Sequence, residues 1–245
     1  MNRYLYDGTP EGLLSAAARI IADVSDPEKA TLGERKDTLF EEGFFISTDV
    51  VAAETFFKRL RLKAPDAAYT LYYFTLAEKD GMESTLLHYL ALALRYGDRV
   101  NGNLADSAVR EIVTVSRKAQ RELHRMKGLL RFEKLCDGAY LARMEPDHNI
   151  LQPLAGHFSR RLRADDWFIY DVRRRIAARW NSGKLLFGAI EQFIAPALSE
   201  EELRVQALWQ AFFKTIAIPD RKNSRLQKSN MPMKYWKYLT EKQEE

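Results

Sequence analysis

Residues 117–150 have the sequence RKAQRELHRMKGLLRFEKLCDGAYLARMEPDHNI, and no other segment changes pattern so sharply. Its first part predicts the end of a basic helix, with Gly128 as a typical stop. Residues 129–132 then predict a strand, and the Asp-Gly pair at 137–138 favours a tight hairpin turn. A polar segment, Glu-Pro-Asp-His-Asn at 145–149, follows; we call it the EPDHN corner. We therefore expect this segment to place a basic helix, a sheet and a polar corner close together, and it is the best candidate for a functional surface.

Apolar spacing on the N-terminal side of this segment predicts mostly helices. Apolar residues recur at intervals of three and four, which gives a helix one buried face. For the second of these helices we expect that face to hold Val50, Ala53, Phe57 and Leu60. The polar residues 25–42 predict a loop. We expect a strand at 3–6 and helices beginning at Pro10, near residue 50, at Pro65, after Gly81 and near residue 105.

The C-terminal side predicts a sheet between two helices. We expect a helix at 150–163, strands at 167–170, 176–180 and 184–187, and a long helix at 200–216. With the hairpin this gives an α+β protein: an N-terminal helical portion and a mostly antiparallel sheet of about five strands flanked by helices. The prediction is one domain, 1–245, with possible sub-parts at 1–103 and 104–245.

The charge is distributed unevenly between those two sub-parts. Residues 1–103 carry 12 Lys or Arg against 16 Asp or Glu, whereas residues 104–245 carry 26 against 18. The acidic half is the one predicted to be helical, and the basic half is the one predicted to contain both helices and the sheet. A basic half beside an acidic one suggests a directed interaction with a polyanion such as nucleic acid, although many Arg-rich faces are simply solvated.

Composition excludes several classes of protein. The chain is 46% hydrophobic and 29% charged, with no apolar run near the ~20 residues of a membrane span and no signal-peptide pattern. We therefore predict a cytoplasmic protein with no membrane partner. The single cysteine, Cys136, excludes an internal disulfide and any Cys-rich zinc or iron–sulfur site. No metal site or cofactor of the chain's own is predicted.

Several motifs along the chain carry a family resemblance. They are YLYDGTPEGLL at 4–14, MKGLLRF at 126–132, EPDHNIL at 145–151, WFIYD at 167–171, and IAIPDRKN followed by MPMKYWKYL at 216–239. Together they resemble a bacterial family of probable DNA-metabolism proteins. Members are usually encoded beside a radical-SAM protein thought to act in DNA repair or modification, and the domain also occurs fused to uracil-DNA-glycosylase-like domains. The resemblance implies a pathway, DNA repair, and a radical-SAM partner, but no particular reaction.

The candidate catalytic residues lie in and after the EPDHN corner. Glu145, Asp147 and His148 place carboxylates beside an imidazole, and His157 follows nine residues later. Such groups can perform general acid–base chemistry or bind a metal, although the spacing matches no known metal site. The alternative is structural: residues 147 and 149 cap the following helix, and His148 packs or bonds locally.

The candidate nucleic-acid contacts are basic residues in three clusters, with Trp236 of the tail as an aromatic contact. They are Arg117, Arg121, Arg125 and Lys127; Arg173, Arg174 and Arg175; Arg221, Lys222, Arg225 and Lys228; and Trp236. Tyr235 and Trp236 could stack on exposed bases, and the alternative is that the tryptophan pins the tail to the core.

Three functions are therefore open. The first is a DNA-repair accessory that binds DNA, or a DNA–enzyme complex, through the basic half and works with the radical-SAM partner. The second is a nuclease- or glycosylase-like repair enzyme that uses Asp147 and His148. The third is a protein-binding scaffold without DNA contact. The chain has no Walker loop, dinucleotide fingerprint or serine-nucleophile elbow to add a fourth.

Overall fold

The computed structural model describes residues 2–23, 30–35, 42–79, 81–216, 218 and 223–243. Packing divides the chain into two compact units, Met1–Ala119 and Gln120–Glu245. In the part of the chain that the structure describes, no helix has the length and apolar character needed to cross a membrane.

The first unit contains a small parallel sheet. Its strands are β1 (Arg3–Tyr6), β2 (Thr31–Glu34) and β3 (Phe44–Phe45), in the order β2-β1-β3. The loop predicted for residues 25–42 is wrong where β2 lies. A four-residue strand containing a glycine has little signal of its own, and β2 is defined by its pairing with β1 and by burial of Leu32.

The described part of the first unit also contains four α-helices, the start of a fifth and a 3₁₀ turn at Gly97–Gly102. The α-helices are α1 (Pro10–Asp23), α2 (Val50–Lys63), α3 (Pro65–Thr75), α4 (Glu83–Tyr96) and α5 (Ser107–Leu129), the last of which continues into the second unit. Prolines begin α1 and α3 as predicted. The predicted burial of Val50 is wrong: its side chain is exposed in the first turn of α2, and Phe56 is buried with Ala53 and Leu60.

The second unit is built on a five-stranded sheet. Its strands are β4 (Phe132–Lys134), β5 (Tyr140–Met144), β6 (Trp167–Asp171), β7 (Ile176–Asn181) and β8 (Lys184–Ala189), in sequential order. All neighbours are antiparallel except β5 and β6, which are parallel because α6 (Leu151–Arg161) returns the chain between them. This confirms the predicted fold class.

The passage from α5 into the sheet differs from the sequence prediction. The helix does not stop at Gly128 but runs to Leu129, because Met126 and Leu130 continue its buried face. The strand therefore begins at Phe132. The hairpin turn is as predicted, with Gly138 at a φ of +89°, a conformation that side-chain-bearing residues rarely adopt.

The C-terminal residues form α7 (Glu200–Thr215), α8 (Ser224–Asn230) and two 3₁₀ segments, Met233–Tyr238 and Thr240–Lys242. Ser199 and Asn223 cap the two α-helices through their side-chain oxygens. Below, the first 3₁₀ segment is called the tail segment. Tyr235 within it is buried, so the tail is part of the second unit's fold.

Candidate functional site

Glu122 is the centre of a polar cluster in the described part of the second unit. It lies on α5 between buried Ala119 and Met126, and it is only 5% exposed. Its Oε1 accepts a hydrogen bond from the backbone N–H of Asp147 at 2.9 Å. Its Oε2 accepts from the backbone N–H of His148 at 2.9 Å, and His148 Nδ1 lies 2.6 Å from the same oxygen. One carboxylate on a helix therefore fixes the EPDHN corner.

The tail segment binds the same carboxylate from the other end of the unit's sequence. Lys234 Nζ donates to Glu122 Oε1 at 3.0 Å, and the hydroxyl of buried Tyr235 donates to that oxygen too. Lys234 also pairs with the side chain of Asp147. The tail is thus joined both to α5 and to the corner.

A second contact between tail and corner involves Glu145. Its carboxylate pairs with Lys237, and the Tyr238 hydroxyl donates to Oε2 at 3.1 Å. The two lysines of the sequence KYWK therefore bind the two acids of the corner, which places the tail segment directly against the corner.

Arg174 holds the corner through its backbone. Its guanidinium donates to the carbonyl oxygens of Pro146 at 3.1 Å and Asp147 at 2.9 Å. It also pairs at 3.0 Å with Asp171, a fully buried carboxylate at the end of β6. Burial raises the pKa of Asp171, and the bonds from Arg174 partly oppose that rise. Arg174 therefore helps to hold the EPDHN corner against the end of β6.

The electrostatics of the cluster keep Glu122 ionised. Burial alone would raise the pKa of its carboxyl, but hydrogen bonds from His148, Tyr235, the backbone of Asp147 and Lys234 outweigh burial and hold that pKa well below its usual range. Burial alone would lower the pKa of Lys234, whereas its bonds to Asp147, Tyr235 and Glu122 raise it. The pair is therefore an ion pair throughout the physiological pH range.

This arrangement orients the imidazole of His148. Nδ1 is bound to Glu122, and Nε2 has no hydrogen-bond partner among the described residues. A carboxylate that bonds one ring nitrogen fixes the orientation of the ring, and the other nitrogen can then take a proton or bind a ligand. Across the described part of the chain, no group of three or more His, Cys, Asp or Glu side chains is placed to hold a metal ion.

The capping role considered for the corner is wrong. Helix α6 begins after Ile150, which takes the N-cap position in place of residue 147 or 149 and makes no side-chain cap bond. The predicted local bonding of His148 is also wrong in its partner, since Glu122 is 26 residues away in sequence. Of the predicted catalytic residues, Glu145, Asp147 and His148 are brought together by the tail and α5.

His157 lies apart from the corner contacts. It sits on α6 with its ring edge-on to Phe158, at a centroid distance of 5.0 Å. Burial lowers its pKa, and the positive charges of Lys127, Arg160 and Arg161 lower it further. His157 therefore marks a basic environment at the ends of α5 and α6.

The predicted nucleic-acid contacts occupy several different settings. On α5, Arg117, Arg121, Arg125 and Lys127 are exposed while the residues between them on the opposite side are buried. Arg173 and Arg175 are exposed at the turn before β7, and Arg225 and Lys228 are exposed on α8. Arg221 and Lys222 lie outside the described residues.

Trp236 is half-buried in the tail segment. Its Nε1 donates to the carbonyl of Met231 at 2.8 Å, and the ammonium of Lys242 lies 4.6 Å from its ring centroid. These contacts hold the tail in place, and stacking of this ring on a base stays a prediction.

Sequence reasoning missed Glu122 and Lys234, and its interpretation of Tyr235 as a base-stacking residue is wrong because the ring is buried. Glu122 carried one signal: it is an acid next to Leu123 on the buried side of α5, a position where an unpaired charge would be costly. The two tail residues gave none, because their partners lie more than a hundred residues away.

A family model matches residues 80–241, well over half of the chain. The chain belongs to DUF4130, a domain of unknown function. The DUF4130 match contains Glu122, the EPDHN corner and the tail segment, so the whole polar cluster lies within the domain. Comparison with curated proteins and with solved structures finds no match.

We expect His148→Ala to lower the stability of the DUF4130 domain by about 1–3 kcal/mol, since Glu122 loses its side-chain partner on Oε2. Thermal unfolding followed by circular dichroism measures this. His124→Ala is the matched control, because His124 is exposed on α5, the helix that carries Glu122. Its replacement should leave the melting temperature unchanged. An unchanged melting curve for His148→Ala, combined with loss of a repair phenotype, would instead favour a catalytic role.

Proposed function

We propose that the chain is a DNA-metabolism protein that binds DNA through its basic C-terminal half and acts in repair together with a radical-SAM protein. The sequence motifs that resemble the DNA-metabolism family support the pathway, and the distribution of charge supports the ligand.

The observation that carries the proposal is the contrast between two groups of cations in the second unit. Many basic side chains there are used by the fold, each paired with a carboxylate: Arg131, Lys134, Arg143, Arg174, Lys234 and Lys237. Lys127, Arg160 and Arg161 form no ion pair with any residue that the structure describes. Unneutralised cations at the ends of adjacent helices suit phosphate groups, whose binding releases condensed counterions.

The test is a binding isotherm measured across salt concentrations. Fluorescence anisotropy of labelled single-stranded and duplex DNA would be recorded from about 50 to about 300 mM salt. We expect the logarithm of the affinity to fall linearly with the logarithm of salt concentration, with a slope of several units. Absence of binding at the lowest salt, or a slope near zero, would contradict the proposal.

The radical-SAM partner is part of the same proposal. Cys136 is the one cysteine of the chain, and an iron–sulfur cluster needs several cysteine ligands. The iron–sulfur cluster and the radical chemistry would therefore reside in the partner. Helix α7 offers a surface for such a partner, since Leu203, Leu208 and Phe212 on it are each at least half exposed. Co-purification of the two proteins, with and without Leu208→Asp, tests this contact.

A nuclease- or glycosylase-like activity is the second candidate. The fixed imidazole of His148, with Nε2 unpartnered among the described side chains, favours it. Asp147 is less suited to chemistry because Lys234 already neutralises it. Cleavage or base release from labelled DNA that His148→Ala abolishes, without loss of fold, would support this candidate over the accessory role.

A further inference from the structure

A cleft of about 580 Å³ lies in the second unit, where α5 and α6 end beside β4. Its volume falls in the range of small-ligand sites, roughly 300–1,000 Å³. Cationic, aromatic and acidic side chains line it together: Lys127, Phe132, Tyr140, Phe158, Arg161 and Asp165. Neither the EPDHN corner nor the tail segment contributes to its wall.

Two cations at the cleft are not needed by the fold. Lys127 and Arg161 are exposed and form no ion pair within the described part of the chain. Arg131 also lines the cleft, but Glu241 binds it in bidentate fashion, at 2.6 and 3.2 Å. The contrast leaves Lys127 and Arg161 as the positive charges available to an anion that enters.

The same cleft has an aromatic wall. Phe132 and Phe158 meet edge to face at a centroid distance of 5.0 Å, and Phe132 is only half-buried. The hydroxyl of Tyr140, also half-buried, has no hydrogen-bond partner among the described residues. A flat apolar ring system can rest on such a wall, and a polar edge of it can bond to the free hydroxyl.

We propose that this cleft binds one unstacked, phosphorylated nucleotide, with its base against Phe132 and its phosphate between Lys127 and Arg161. Asp165 accepts a hydrogen bond from a sugar hydroxyl or a base amine. This inference rests on the proposed function, since it names the part of DNA that the second unit recognises: an exposed end or an unpaired base. A free mononucleotide has the same chemistry.

The experiment compares four probes on the full chain: a deoxynucleoside monophosphate, its nucleoside, a single-stranded oligonucleotide with a 5′-phosphate, and a blunt duplex. Affinities would be measured by calorimetry for the small probes and by anisotropy for the DNA. The variant is Lys127→Gln with Arg161→Gln. The matched control is Lys118→Gln with Lys184→Gln, which removes the same charge from exposed positions outside the cleft. Tyr140→Phe is a milder second variant.

We expect the monophosphate to bind at least tenfold more tightly than the nucleoside, and the cleft variant to lose that preference while the control keeps it. Tyr140→Phe should weaken binding severalfold with an unchanged melting temperature. If the single strand competes with the monophosphate, DNA is the source of the nucleotide. If it does not compete, the ligand is a free nucleotide, and either result supports binding in the cleft. Equal binding of monophosphate and nucleoside, or equal losses in variant and control, would overturn it.

The outcome for DNA separates the two proposals. If duplex and single strand both fail to bind while the monophosphate binds, the proposed DNA function fails and the cleft stands. The alternative outcome is that wild type and cleft variant bind DNA with the same steep salt slope, while the monophosphate binds no more tightly than the nucleoside. In that case the cleft proposal fails and the DNA function stands.

Discussion

Replacing Glu122 by glutamine is expected to destabilise the second unit by about 3 kcal/mol or more. All the groups that contact the Glu122 carboxylate can be hydrogen-bond donors: two backbone N–H groups, the ring of His148, the ammonium of Lys234 and the hydroxyl of Tyr235. An amide nitrogen would face these donors with donors of its own, and Lys234 would lose a buried counter-charge. Lys234 is 39% exposed and keeps Asp147, so most of the cost comes from the buried donors that lose their acceptor.

The effect of Glu122→Gln should depend on pH in a defined direction. The folded-state pKa of Glu122 is depressed, so its contribution is complete above the unfolded-state pKa of about 4.3 and is lost as pH falls towards the lower folded-state value. The difference in unfolding free energy between wild type and variant should therefore shrink as the pH falls from about 5 towards about 2.

Urea unfolding at several pH values checks both expectations. Glu201→Gln is the control: Glu201 also pairs with a lysine, Lys134, in the same unit, but its side chain is 70% exposed. Solvent screens such a pair, so we expect a far smaller change. A small effect of Glu122→Gln, equal to that of the control, would mean that the tail and corner are held by other contacts.

Changing Arg117, Arg121 and Arg125 together to glutamine is expected to preserve the fold and to flatten the salt dependence of DNA binding by roughly two to three units. The three side chains are exposed and lie on one ridge of α5, about 6 Å from one to the next. Aligned like charges repel mildly, so helix stability gives little reason to place them there. Removing the positive charge that neutralises one phosphate lowers the slope by about one unit.

A control with the same loss of charge separates local contacts from net charge. Lys58, Arg61 and Lys63 are exposed on α2 in the acidic half, and their change to glutamine should leave the slope unchanged. Melting temperature and salt-dependent anisotropy would be measured on both triple variants. If the α5 variant instead loses stability and keeps its DNA affinity, the ridge serves pairing with carboxylates of the chain and not phosphate binding.

Local sequence was sufficient to predict most elements of the second unit. Strands β6, β7 and β8, the glycine turn at 138 and helix α6 follow from alternation, turn residues and three–four spacing, all of which report on neighbours within a few residues. The same patterns identified the exposed basic ridge of α5, since its apolar and basic positions alternate with the helical period.

Only the tertiary structure determined which of these elements form a site. The parallel pairing of β5 with β6 depends on where α6 packs, and β2 exists through its pairing with β1. Glu122 and Tyr235 are 113 residues apart, and Lys234 joins an acid of α5 to an acid of the corner. A periodic pattern contains no information on such partners. Packing of the whole unit brings the buried carboxylate, the imidazole and the ammonium together. A charge that loses water on burial is costly unless an opposite charge or a hydrogen-bond partner lies beside it.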